Sequence, residues 1–223
     1  IYVRWAQIMT TEPTLRFSIS TGAAAGTTLD DALYRSICEI VERDAFMISY
    51  LNNLSSPRID LNSINDKEIK TIIKRLARYK LEVVVLDLTT DLQIPAFAAI
   101  TLDKTGLGPA VSVGLKAGFN IKDTIVGAIE ESLMTRSWIR DKFIYTDPNY
   151  KRGKEIVTIE DRAHFWFTVE ALKHLDFWLN SNNIKKINIK EVDVPVNKLG
   201  ETLRLLRRKK MDAIYVDITD RKI

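Results

Sequence analysis

Cysteine is nearly absent from this sequence: Cys38 stands alone among 223 residues. One cysteine excludes an intrachain disulfide and any zinc site built on thiolates, and a reducing compartment such as the cytoplasm is its expected setting. Histidine is almost as scarce. His164 and His174 lie ten positions apart on one expected helix, so they share no face and make no metal-ligand spacing. No apolar run approaches the ~20 residues of a membrane span, and no secretory signal opens the chain, so no membrane partner is expected. No G-x-x-x-x-G-K-[ST] loop occurs, which excludes the commonest phosphate cradle. Charge of one sign is only slightly in excess, 33 bases against 29 acids. That balance fits a small anionic ligand such as a nucleotide. The one dense basic stretch, RLLRRKK at 204–210, reads as the solvated face of a helix, so nucleic acid is not an expected partner.

What is present is a globular composition, 46% hydrophobic and 28% charged, with enough apolar residues for a core. RFSIS at 16–20 alternates like a half-buried strand. STGAAAGTT follows, a loop of small residues with Gly22 and Gly26 that would expose backbone N–H groups. Thr28 is a good N-cap, with Asp30 and Asp31 in the first turn of a helix over 29–51. The pattern places further helices at 66–79, 121–140, 160–180 and 198–210. Strands are expected at 81–88, 94–103, 108–118 and 212–218. Residues 147–154 read as a polar loop and 181–189 as a polar connector. The expected fold is α/β of the mixed α+β kind, a mixed sheet covered by helices, in a single domain over 1–223. The aromatic residues from Phe165 to Trp178 read as core or as a dimer interface, and a homodimer is expected.

The stretch SICEIVERDAF at 36–46 puts charge inside an apolar helical run. Ser36, Glu39 and Glu42 stand at i, i+3, i+6 and read as one stripe, and Arg43 follows Glu39 by four. Carboxylates crowded on a stripe are tolerated in water, beside an arginine or around a cation. Magnesium uses one or two carboxylates together with substrate phosphates. A surface Glu–Arg network would give the same stripe; the glycine loop just upstream favours phosphate. A second acidic group lies at Asp123, Glu130 and Glu131. Adjacent glutamates point to different faces, so one of them can join a site. Glu131 follows Asp123 by about two turns, and Arg136 lies a turn beyond. Two such helices could form a cleft for metals and a triphosphate, although periodicity does not show that they face each other. Cys38, between the candidate residues, reads as a small buried hydrophobe.

STGAAAGTTLDDALYRSICEIVERDAF resembles the STG-x-A-x-G…S-x-x-E-x-x-E-R-D-A stretch of the YcaO domain family. LDLTTDLQIPAFAAI is similar to that family's D-L-T-x-D-x-G-I-P-V strand pair, with Gln93 where the family has Gly. FNIKDTIVGAIEESLMTRSWIRD is similar to its D-x-x-x-A-x-x-x-A-L-x-E-x-x-Q-x-R helix, with Met134 at the Gln position. The later stretches TIEDRAHFWFTVEALKHLDFWL and MDAIYVDITD resemble the docking or D-protein branch that serves azole-containing peptides. The resemblance covers nearly the whole chain. It implies an enzyme using ATP and Mg2+ to activate a peptide backbone amide. In the cyclodehydratase branch a Cys, Ser or Thr side chain attacks the preceding carbonyl, ATP phosphorylates the oxyanion, and loss of phosphate leaves a thiazoline or oxazoline. Other branches make a thioamide or an amidine, and a non-catalytic docking module is the further alternative.

Carried onto this sequence, the resemblance makes Glu39, Glu42 and Glu131 magnesium ligands. Ser36, Arg43, Asp123 and Arg136 become nucleotide-binding or supporting residues. Methionine neither coordinates magnesium usefully nor hydrogen-bonds phosphate well, so Met134 weakens one half of that site. The chain opens on Ile1 and closes at Ile223, and the resemblance implies a piece lacking the family's N-terminal segment and C-terminal tail, with the catalytic residue of that tail unassigned. The implied partners are a peptide substrate and a leader-binding protein that presents it.

Overall fold

The computed structural model describes residues 19–145, 155–189 and 193–219. Most of the expected first strand (16–18) and all of the expected loop at 147–154 lie outside them. Among the described residues, six α-helices cover one mixed sheet of five strands, so the expected fold class is found.

Helix α1 runs from Leu29 to Leu51. Its N-cap is Thr28, whose hydroxyl accepts from the Asp31 N–H, with Asp30 and Asp31 complementing the positive end of the helix. Strand β1, Arg58–Ile59, leads through a 3-10 turn at Leu61–Ser63 into α2, Lys67–Arg78. Asp66 caps α2 by accepting from the N–H groups of Glu68 and Ile69. Then comes an antiparallel meander of β2 (Leu81–Asp87), β3 (Ala96–Asp103) and β4 (Val111–Ala117). Helix α3 follows, Ile121–Ile144. The remaining elements are α4 (Ile159–Phe167), a 3-10 stretch (Val169–Leu175), α5 (Asp176–Leu179), β5 (Ile184–Lys185) and α6 (Lys198–Arg208).

The strand order is β4-β3-β2-β1-β5, with β5 parallel to β1. All eight residues of β3 are buried, as a central strand covered on both faces requires. Val84, Leu86, Ala98 and Ile100 face one layer, where α1 contributes Val41 and Ala45 and α6 contributes Leu205 and Leu206. Val85, Phe97 and Ala99 face the other, against Ile69 of α2 and Ile125 and Ile129 of α3. This period-two alternation divides the core into two slabs.

Helix α3 lies flush on β4 because Gly114 has no side chain. A Cβ there would come within 2.2 Å of the Ala128 carbonyl oxygen and the Ser132 nitrogen. The close approach sets Glu131 against the outer edge of the sheet.

Three expectations are corrected. The helix expected at 160–180 breaks at Thr168, whose φ of −85° and ψ of 145° are extended. The break lets α4 stack Phe167 on Phe143 of α3 while α5 buries Trp178 against Phe46 and Tyr50 of α1; a straight helix could not reach both. The connector at 181–189 contains β5, held to β1 through Arg58 N–H to Asn183 O and Asp60 N–H to Lys185 O. The strand expected at 212–218 does not form. Its alternation is real, but no described strand lies beside it, and Ile214 and Val216 stay exposed.

Candidate functional site

Among the described residues strand β4 is an edge, so one row of its peptide groups has no described strand neighbour. Two carboxylates fill part of that row, arriving from opposite faces of the sheet. Glu42 of α1 accepts from the Ala117 N–H at 3.2 Å, and Glu131 of α3 accepts from the Leu115 N–H at 3.0 Å. Arg43 sits between them, with its Nε 3.7 Å from Glu42 Oε1 and its Nη2 3.8 Å from Glu131 Oε1. The two helices therefore do face each other. The cavity between them measures about 560 Å³ and is lined by Glu39, Glu42, Arg43, Asp123 and Glu131, together with the backbone loop at Ala23–Ala25.

Glu42 is 6% exposed. Burial, and then the charge of Glu131, push its carboxyl up to about 7 from an ordinary 4.5, against the pull of Lys116 and Arg43. The cavity wall also carries Arg35, Lys116 and Lys198. Acids and bases thus line one cavity together, the mixture a metal-bound polyphosphate needs. Cys38 lies beneath, where burial pushes its thiol up to about 11. It is not a nucleophile at neutral pH.

Two expected site residues lie elsewhere. Ser36 donates to the Gly22 carbonyl at 2.5 Å, which holds the left-handed turn of the glycine loop (φ 86°) against α1. At 100° per residue, Ser36 and Glu42 are roughly 120° apart around the helix, so their stripe diverges. Arg136 is roughly 140° from Glu131 by the same reckoning, and it clamps the Asp103 carboxylate and the Pro109 carbonyl instead. Met134 is 72% exposed and lines neither this cavity nor its neighbour.

Lys116 and Lys198 escaped the sequence reading. Lys116 had a signal, as the only charge in VSVGLKA. Lys198 comes from α6, far along the chain, and stands 5.8 Å from the centroid of the Tyr34 ring; nothing local marks it.

Among the described residues no three or more His, Cys, Asp or Glu side chains converge on a metal position. The donor set nevertheless fits magnesium shared with phosphate. Glu42 and Glu131 each spend one oxygen on β4 and leave Oε1 beside Arg43, and all three residues line the cavity; hard carboxylate oxygens completed by phosphate and water are what Mg2+ takes.

The family model described as YcaO cyclodehydratase, ATP- and Mg2+-binding, matches residues 2–223. The chain belongs to the YcaO family. A heterocyclase solved in complex with substrate and cofactor superposes with a TM-score of 0.70 at 25% identity, over 86% of this chain and 25% of that one. The YcaO protein of Methanopyrus kandleri bound with AMPPCP and Mg2+ shares the fold, with a TM-score of 0.62 at 19% identity over 88% of this chain and 49% of that one. Among curated sequences, an "Uncharacterized protein in tfuA 3'region" of Rhizobium leguminosarum bv. trifolii is 38% identical over 86 residues, 37% of this chain and 20% of that protein. The matched stretch thus spans a fifth of that relative's length. Among the described residues no helix is long and apolar enough to cross a membrane.

Proposed function

We propose that this YcaO domain binds ATP and Mg2+ at the β4 edge to activate a backbone amide of a peptide. The reaction is cyclodehydration of Cys, Ser or Thr to thiazoline or oxazoline, with the amide oxygen leaving on the phosphate. The observation that carries the reading is the pair Glu42, buried, and Glu131, half-buried, brought together around Arg43 in a cavity that Arg35, Lys116 and Lys198 also line. Glu39, Glu42 and Glu131 would hold Mg2+, which when bound would offset charge on the transferred phosphoryl group. Asp123, in the first turn of α3, lines the same cavity and would orient the nucleotide. Arg43 ties the two carboxylates and orders them. Lys116 and Lys198 would hold phosphate oxygens. Ser36 and Arg136 act one step removed, by fixing the glycine loop and the β3–β4 turn. The proposal includes a leader-binding partner that presents the peptide, and a homodimer.

The test is calorimetric titration of ATP, with and without Mg2+, into the longest natural form of the chain. Magnesium-dependent binding is expected, weakened at least ~10-fold, or about 1.4 kcal/mol, by Glu42→Gln or Glu131→Gln. Failure of the intact protein to bind ATP in Mg2+ would remove the enzymatic reading and leave a docking module.

A further inference from the structure

The elements that carry Glu42 and Glu131 enclose more than one cavity. A second cavity, about 730 Å³, lies at the other end of the same strand. The same three elements line both. Helix α1 contributes Glu39 to Arg43 to the first and Phe46 to Leu51 to the second. Strand β4 contributes Lys116 and Ala117 to the first, then Val111, Ser112 and Val113 to the second. From α3 come Glu131 and then Thr135, one turn on. The lining therefore changes from charged to aromatic along one edge strand.

The aromatic end is a built wall. The break at Thr168 folds α5 back, so that Trp178 packs 5.6 Å from the Phe46 ring and 5.7 Å from the Tyr50 ring. The Trp178 indole N–H donates to Ser49 at 2.9 Å, leaving its polar edge satisfied. Trp166 of α4 closes the far side. Ser112, which also lines the cavity, is 2% exposed, and its hydroxyl has no hydrogen-bond partner among the described residues. Buried hydroxyls are rarely left so.

We propose that this cavity is a side-chain subsite for the peptide substrate, taking an aromatic or large aliphatic residue about four positions from the amide that reacts. The inference rests on the proposed peptide chemistry at the carboxylate end. Its spacing comes from the strand. Val113 and Ala117 are four residues apart, roughly 13 Å of extended chain, so an extended peptide passing over the two carboxylates in the direction of β4 would span both cavities. That α1, β4 and α3 line both cavities favours a peptide over a free small molecule, because one extended chain reaches both at a fixed spacing while the carboxylates keep their hold on β4.

The experiment uses labelled, capped Gly/Ser peptides with one Cys and, four residues to either side, Phe or Ser. Binding to the full chain is followed by fluorescence anisotropy with Mg2+ and a non-hydrolysable ATP analogue. The Phe peptide is expected to bind at least tenfold tighter than the Ser peptide in one of the two orientations. Thr135→Trp, which fills the cavity from α3, should reduce that preference below twofold while analogue binding is unchanged. If Thr135→Trp does not fold, as judged by circular dichroism, Trp166→Leu on the opposite wall supplies the same readout. Equal binding of Phe and Ser peptides, or a preference that survives the filled cavity, overturns the subsite. Absence of analogue binding with the preference intact refutes the nucleotide reading and leaves the subsite standing.

Discussion

Gln93 has φ 62° in an exposed turn between β2 and β3, where the family pattern carries glycine. A residue with a Cβ is disfavoured there by about 1–2 kcal/mol, while glycine costs about 0.5–1 kcal/mol in lost chain entropy. Gln93→Gly should therefore stabilise the fold by ~0.5–1 kcal/mol in urea melts, and Gln93→Val should weaken it; the reverse order would mean that another contact holds the turn. At this scale the site was partly legible. Glu39, Glu42, Arg43, Asp123 and Glu131 were readable because acids at helical spacing inside apolar runs need a reason to be there, and they line one cavity. Ser36 and Arg136 were grouped with them by counting turns loosely. The drift of a real helix carries each to a different face, where a backbone carbonyl takes it. Lys198 was illegible because tertiary folding alone brings α6 to the cavity.

The elements were legible where each met a neighbour that its own pattern could anticipate. Helix α1 and the meander β2–β4 follow their caps and alternation closely. The break at Thr168 was hidden because apolar residues continue on both sides of it, and periodicity registers burial without showing which partner buries the face. The residues at 212–218 show the opposite failure, a strand pattern with no described partner for its backbone. Gly114 is where packing of elements is most exposed to test. Gly114→Ala forces the Cβ into α3 backbone at both Ala128 and Ser132, and backbone cannot rotate away as a side chain can. A loss of more than ~3 kcal/mol is expected in chemical denaturation. ATP affinity should fall with it, since Glu131 rides on the displaced helix. A loss under ~0.5 kcal/mol, within the range of an ordinary surface change, would show that α3 is not seated as described.

For the molecule as a whole, the site is a burden that folding carries. Glu42 ionises near 4.5 when unfolded but only near 7 in place. Between those values unfolding releases a proton, so the contribution of Glu42 to stability is most favourable below about pH 4.5 and falls as pH rises through 7. Without Mg2+, Glu42→Gln should exceed the parent by ~2 kcal/mol at pH 8 and by little at pH 5, read from thermal melts in a chelator. Parallel pH profiles would show that the carboxylate carries no such load. Glutamine also keeps an acceptor for the Ala117 N–H, which alanine would not. The same two carboxylates that crowd the cavity stopper the open side of β4, an apolar strand whose exposed donors would otherwise invite a second molecule to add on edge to edge. Strip both, and edge-to-edge addition at β4 is expected beside the loss of ATP binding: the groups proposed for chemistry also close this edge to a further strand.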